Sequence, residues 1–244
     1  MTGKNSKSMY KRKLWYAWGV HLFTATGAVW GLLAIIAIME ARWQAAFIWL
    51  VIAVVVDSVD GVLARYFQVK GMLPGFDGGL LDNIIDYQTY VVAPALLLYR
   101  ADLLPGIFAV IAPSLVVLAS AYQFSQTDAK TEDHFFTGFP SYWNVVVFYL
   151  FMLELHPVAN LLAILLCTYL IFVPIKYVYP SRTTRFQRTT VLLGVIWGGM
   201  LLVALAQYPI IRQGLIWGSL LYVAYYVGLS VYLTNESKES QQFS

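Results

Sequence analysis

Cysteine is almost missing from this chain: 244 residues contain one, Cys167. A lone thiol inside an apolar run allows no intrachain disulfide, so the chain is no disulfide-stapled scaffold and demands no oxidising compartment. Charge is nearly as scarce. Asp, Glu, Lys and Arg make up 12% of the residues against 59% hydrophobic ones, with a mean hydropathy of +0.66. Such a balance excludes a disordered chain and a water-soluble core of ordinary composition, and describes a polytopic membrane protein. The net charge of +3 says little as a total, and nothing in it points to nucleic acid.

What is abundant is long apolar runs. A helix needs about 20 apolar residues to cross the hydrocarbon core, and that ruler predicts an all-α bundle of about eight spans. They fall near 15–39, 44–65, 80–99, 104–124, 139–155, 158–175, 189–207 and 213–233. The sequence predicts a single membrane-embedded domain over 1–244, with a basic segment at 1–14 and a flexible tail at 235–244. The run after MTGKNSKSMYKRKL lacks a small-residue cleavage site and reads as a first span, not a removable leader. An even number of spans puts both termini on one side. All but three of the 16 Lys and Arg then share that side, leaving Arg42, Arg100 and Arg212 on the other. The positive-inside bias makes the shared side cytoplasmic.

Against this background one stretch stands out: DSVDGVLARYFQVKGMLPGFDGGLLDNIID, from Asp57 to Asp86. It sets Asp57, Asp60, Asp82 and Asp86 at or near the cytoplasmic ends of two apolar runs. Ionised acids there are expensive unless paired, hydrated or bound to a cation. Asp57, Asp60, Gly61, Ala64 and Arg65 share one helical face, and Gly78, Asp82 and Asp86 repeat every four residues on a second. Between them Gly71, Pro74, Gly75, Gly78 and Gly79 permit a reversal. Antiparallel helices would bring all four acids together, where they would repel one another unless divalent ions balanced them. Oxygen-only ligands select hard ions, Mg²⁺ or Mn²⁺. Two such ions suit phosphoryl transfer. A cation transporter could use the same acids. It would also need a polar path outward, and the outer halves of the spans hold almost no ionisable residues.

The pattern Asp57-x-x-Asp60-Gly61-x-x-Ala64-Arg65, followed by Gly78-x-x-x-Asp82-x-x-x-Asp86, resembles the signature of the CDP-alcohol phosphotransferases, integral membrane enzymes of phospholipid synthesis. Twelve residues separate Arg65 from Gly78, more than in most of that family. The longer insert is similar to the bacterial branch that joins CDP-diacylglycerol to free choline. VHLFTATGAVWG from Val20, FFTGFPSYWN from Phe135 and VPIKYVYPSR from Val173 resemble that branch too. The resemblance implies that Asp57, Asp60, Asp82 and Asp86 hold two Mn²⁺ or Mg²⁺ ions, with Asp86 also accepting the alcohol proton. It implies nucleotide contacts from Thr24, Gly61, Ala64, Arg65 and Gly78, although the Pro-Asn usual before that threonine is absent. It also implies CDP-diacylglycerol and choline as substrates, a cytoplasmic-facing site in a bacterial inner membrane, and a homodimer. Serine or inositol remains open as the acceptor.

Several residues outside the signature carry expectations of their own. Phe135, Phe136, Phe139, Tyr142 and Trp143 cluster at one mouth, either as an interfacial belt or as ring faces for a quaternary ammonium. With the resemblance, Tyr142, Trp143 and Asn144 become the candidate choline contacts. Lys176 and Arg182 are candidates for the lipid phosphate, Arg through its planar fork, although anchoring to anionic lipid also explains them. KRKLWYAW is either a short interfacial helix or ordinary flanking charge beside an aromatic belt. His21 suits packing or hydrogen bonding better than catalysis, and Gly27-x-x-x-Gly31 suits a helix seam.

Overall fold

A computed structural model describes residues 2–126, 135–179, 183 and 185–242. It contains α1 (Thr2–Met39), α2 (Trp43–Tyr66), α3 (Val69–Met72), α4 (Gly78–Asp86), a π-helical segment (Tyr87–Val92), α5 (Ala93–Arg100) and α6 (Phe108–Ser125). These are followed by β1 (Phe135–Thr137), α7 (Trp143–Met152), α8 (Pro157–Leu170), β2 (Lys176–Val178), α9 (Gln187–Gln207) and α10 (Gln213–Gln242). Among the described residues, five helices are long and apolar enough to cross a membrane: Lys11–Met39, Trp43–Tyr66, Phe108–Ser125, Gln187–Gln207 and Gln213–Glu236. Leu22, Leu118, Leu192, Val195 and Leu221 on them are more than 60% exposed. Apolar exposure on that scale suits a lipid-facing surface. The chain is a polytopic, predominantly helical membrane protein.

The other predicted spans take different forms. The third is a continuous winding from Gly78 to Arg100, but a π-helical turn divides it at Tyr87–Val92. The fifth and sixth are shorter than the apolar run suggested, at 10 and 14 residues. At about 1.5 Å per residue neither α-helix reaches the roughly 30 Å of a hydrocarbon core. Backbone conformation explains the late start of α7. Gly138 (φ +77°) and Ser141 (φ +55°) are left-handed, with Pro140 between them, so winding begins only at Trp143. After α8, Pro174 leads into β2, and β1 pairs antiparallel with it, Phe136 opposite Tyr177. This small sheet was not expected of an all-α chain.

The described residues divide into two compact units, Met1–Ala93 and Pro94–Ser244. In the first, α1 packs along α2 and touches α3, α4 and the π segment. The predicted glycine seam serves this packing within the chain. A methyl group at Gly27 would stand 2.6 Å from Ile85 Cγ2, and one at Gly31 would stand 3.0 Å from Gln88 Cδ and Thr89 Cγ2. α1 also runs unbroken from Thr2, so KRKLWYAW is part of the spanning helix and not a separate interfacial one. Trp15, Tyr16 and Trp18 on it are exposed.

In the second unit, α10 side chains satisfy the backbone of β2. Thr234 Oγ1 accepts from Lys176 N–H at 2.8 Å, Ser230 Oγ accepts from Val178 N–H at 3.2 Å, and Tyr226 donates to the Val178 carbonyl at 2.9 Å. Unpaired backbone groups in a buried strand would be costly, and these hydroxyls remove that cost. Glu236 pairs with Arg185. Helix continues through Gln242, where the sequence pointed to a flexible tail.

Gly138→Ala should be strongly destabilising. Its methyl group would meet the Ile171 carbonyl oxygen at 2.2 Å, at a φ that L-residues rarely adopt. Strain of this kind costs about 1–3 kcal/mol before the clash is counted. We expect a lowered thermal midpoint in detergent, while Gly106→Ala, also at positive φ but with open space around it, falls less.

Candidate metal and nucleotide site

The acidic stretch forms the two helices that the spacing predicted and brings three of its four acids together. α2 carries Asp57 and Asp60 towards its C-terminal end, the 67–77 connection turns the chain, and α4 carries Asp82 and Asp86. Asp77 caps α4, its Oδ1 accepting from Leu80 N–H at 3.0 Å. An Asp at this position also favours the positive end of the helix dipole. The four-residue repeat of Gly78, Asp82 and Asp86 does not include it. Within the turn, Val69 closes a small core with Ala17 and Val20 of α1.

Thr24, Gly27, Ala53, Val56, Asp57, Asp60, Asp82, Ile85, Asp86 and Thr89 line one cleft in the first unit. Asp57, Asp82 and Asp86, all part-buried, each turn one carboxylate oxygen into it, and these three oxygens lie within 4.8 Å of one another. Two oxygens on one Mg²⁺ at 2.0–2.1 Å stand at most about 4.2 Å apart. Small side-chain rotations therefore suffice to close the three onto a divalent ion. All the donors are hard oxygens, as Mg²⁺ and Mn²⁺ require. The residues fit such an ion.

Asp60 shares the cleft but lies outside the three-oxygen cluster. It is 6% exposed and lines the cleft together with Thr24. Thr24 donates its one hydroxyl proton to the Val20 carbonyl at 3.2 Å. Gly61, Ala64, Arg65 and Gly78 are not among the cleft's lining residues. Arg65 is exposed, with Nη1 3.3 Å from where a Gly61 methyl group would stand. Gly78 has a clear steric reason to be glycine: a methyl group there would meet His21 Cε1 at 2.5 Å. His21 is buried against Phe76, ring centroids 4.5 Å apart, which matches the packing role expected of it.

The remaining candidates lie in the second unit. Trp143 is fully buried, its indole N–H donating to Ser120 Oγ at 2.7 Å. Asn144 is buried, with Oδ1 accepting from Val145 N–H at 2.9 Å. Tyr142 is part-exposed and has Phe136 at 6.3 Å, and Phe136 in turn has Tyr179 at 4.8 Å. Phe139 packs against both Trp143 and Tyr177, and burial of Tyr177, with a smaller contribution from Cys167, pushes its phenol up to about 12. It stays neutral throughout the physiological range. Lys176 Nζ lies over the Phe135 ring at 5.6 Å, while Arg182 is outside the described residues. A residue missed in the sequence is Tyr90, whose hydroxyl donates to Asp57 Oδ2 at 2.8 Å. Its place four residues after Asp86 was the available signal.

The acidic cleft agrees with what the chain resembles. No protein-family model matches it. It is 40% identical over 190 residues to a phosphatidylcholine synthase of Pseudomonas aeruginosa, covering 77% of this chain and 80% of that protein. A phosphatidylcholine synthase of Legionella pneumophila is 41% identical over 225 residues, 89% of this chain and 88% of the relative. One of Agrobacterium fabrum is 36% identical over 196 residues, 79% and 81%. The chain belongs to the phosphatidylcholine synthase family. Membership supports enzymatic function, and the first unit supplies the acidic cluster such chemistry needs.

Gly78 offers a direct check of this packing. Gly78→Ala should lower both thermal stability and activity, whereas Gly71→Ala, with nothing within 4 Å of the new methyl group, should leave both near wild type. Adding His21→Ala removes the clashing ring, so melting curves of the double variant should recover part of the stability lost in Gly78→Ala.

Proposed function

We propose that this chain transfers the phosphatidyl group of CDP-diacylglycerol to choline, releasing CMP and phosphatidylcholine. The observation that carries the proposal is the meeting of Asp57, Asp82 and Asp86 in one cleft, in a chain about 40% identical to phosphatidylcholine synthases over most of its length. On this reading Asp57, Asp60, Asp82 and Asp86 hold two Mn²⁺ or Mg²⁺ ions. When bound, such ions neutralise the pyrophosphate and the charge that develops as phosphorus is transferred.

The chain's own residues do the rest. Thr24, Gly61, Ala64, Arg65 and Gly78 receive the nucleotide, and small residues allow its close approach. Asp86 takes the proton from the choline hydroxyl as that oxygen attacks the lipid-side phosphorus. The bond from phosphorus to the CMP oxygen breaks in line, and CMP departs with the bonding pair. Tyr142, Trp143 and Asn144 serve choline: a quaternary ammonium offers no N–H, so ring faces and amide oxygens suit it. Of these three, Tyr142 has the accessible ring, while Trp143, held by Ser120, fixes the segment that presents it. Lys176 and Arg182 take the lipid phosphate. An even number of spans, with the site and both termini on the cytoplasmic side of a bacterial inner membrane, and a homodimeric assembly complete the proposal. The Lys and Arg asymmetry of the sequence supports that orientation.

Purified protein in detergent, given CDP-diacylglycerol, Mn²⁺ and choline, serine or inositol in parallel, tests the reaction. We expect CMP and phosphatidylcholine with choline alone, and no product once a chelator is added. Product from serine or inositol would discard choline as acceptor, and absence of CMP with every alcohol would overturn the reaction itself. Asp86→Asn should lower turnover at least 1,000-fold, about 4 kcal/mol of barrier, yet keep CDP-diacylglycerol binding.

A further inference from the structure

Tyr90 has no part in the reaction as described above, yet it makes a side-chain hydrogen bond to one of the three clustered acids. Its hydroxyl donates to Asp57 Oδ2 at 2.8 Å, joining the π-helical segment to α2 across 33 residues of sequence. The winding of the chain helps bring it there. Along an α-helix a four-residue repeat drifts by about 40° per step, so Asp86 is already turned from Asp82. Had α-helical winding continued, Tyr90 would have turned farther still. The wider π turn that begins at Tyr87 reverses the drift and returns Tyr90 towards the face of Asp82. Thr89 is fixed in the same turn, donating to the Ile85 carbonyl at 3.0 Å, and it lines the cleft.

We propose that Tyr90 is a positioning residue for the metal site, holding the Asp57 carboxylate in the rotamer that turns its oxygen towards Asp82 and Asp86. This inference rests on the metal-binding reading of the cleft. A carboxylate has rotational freedom about χ1 and χ2, and three like charges repel. Without a restraint Asp57 would swing away from Asp82 and Asp86 in the metal-free protein, and each binding event would have to bring it back. A phenol that donates to one carboxylate oxygen supplies the restraint and leaves lone pairs on both oxygens for a cation. Hydrogen-bond partners of metal-ligating groups typically contribute about 10–100-fold in affinity.

The test uses full-length protein in detergent, with Mn²⁺ as the probe and the electron paramagnetic resonance signal of free Mn²⁺ as the readout. We expect Tyr90→Phe, which keeps the ring and loses only the hydroxyl, to weaken Mn²⁺ binding about tenfold. The metal-free thermal midpoint should be unchanged. In an Asp57→Asn background the same substitution should cost nothing further, because the group it positions is gone. Unchanged Mn²⁺ affinity in Tyr90→Phe overturns the inference, and so does a tenfold loss that persists undiminished with Asp57→Asn. If wild-type protein shows no saturable Mn²⁺ binding, the metal reading fails and this inference with it.

Discussion

Clustering several carboxylates among apolar helices is the constraint that the first unit is built to meet. Each ionised acid near membrane depth is costly, and acids a few ångströms apart add mutual repulsion. Asp57, Asp82 and Asp86 nevertheless present oxygens within 4.8 Å of one another. Such an arrangement persists only if the helices carrying it are locked by something other than the acids. Gly27 and Gly31 supply that lock by letting α1 pack directly on Ile85, Gln88 and Thr89. The seam lies beside the acids, so packing energy is applied where repulsion must be opposed. The same contacts use these glycines within the chain, and GxxxG here is no argument for pairing two copies.

A hydrogen bond then sets one acid within the locked frame. Tyr90 from the π segment donates to Asp57, and Thr24 from α1 lines the cleft together with Asp60. α1, α2 and the winding that starts with α4 thus each contribute to the cleft, although only α2 and α4 carry the acids. Gly27 and Gly31 of α1 supply the close approach, and Thr24 of the same helix lines the cleft.

Much of this was legible because helical spacing is rigid. A repeat of three and four residues fixes a face whatever the surroundings, so the acid stripes, the glycine reversal and the seam at Gly27 could all be read in advance. Features that depend on local backbone conformation could not. Hydropathy does not distinguish a π turn from an α turn, so the extent of the third span was visible and the placement of Tyr90 was not. The short α7 follows from positive φ at Gly138 and Ser141, and nothing in the apolar run beyond them records it. β1 and β2 are three residues each and pair across a long separation, so neither strand had a period to detect. Trp143 shows the limit most plainly. An aromatic cluster in sequence can be a ring-lined mouth or a packed core, and only the bond to Ser120 places this indole in the core.

The two units also divide the chemical problem by type. All four signature acids, Thr24 and Tyr90 fall in Met1–Ala93, while the aromatic group around Tyr142 and the basic residues Lys176 and Arg185 fall in Pro94–Ser244. Breaking and making bonds to phosphorus makes the same demand whatever alcohol attacks: neutralised charge and an in-line path. Acceptor choice makes a different demand, since choline carries its charge on a group without hydrogens to donate. A hydroxyl-rich acceptor such as inositol would call for hydrogen-bonding partners in place of ring faces. On the proposed reading the first unit determines the class of reaction and the second determines which alcohol is used. Substitutions in the aromatic group should therefore alter acceptor preference while leaving the metal requirement intact.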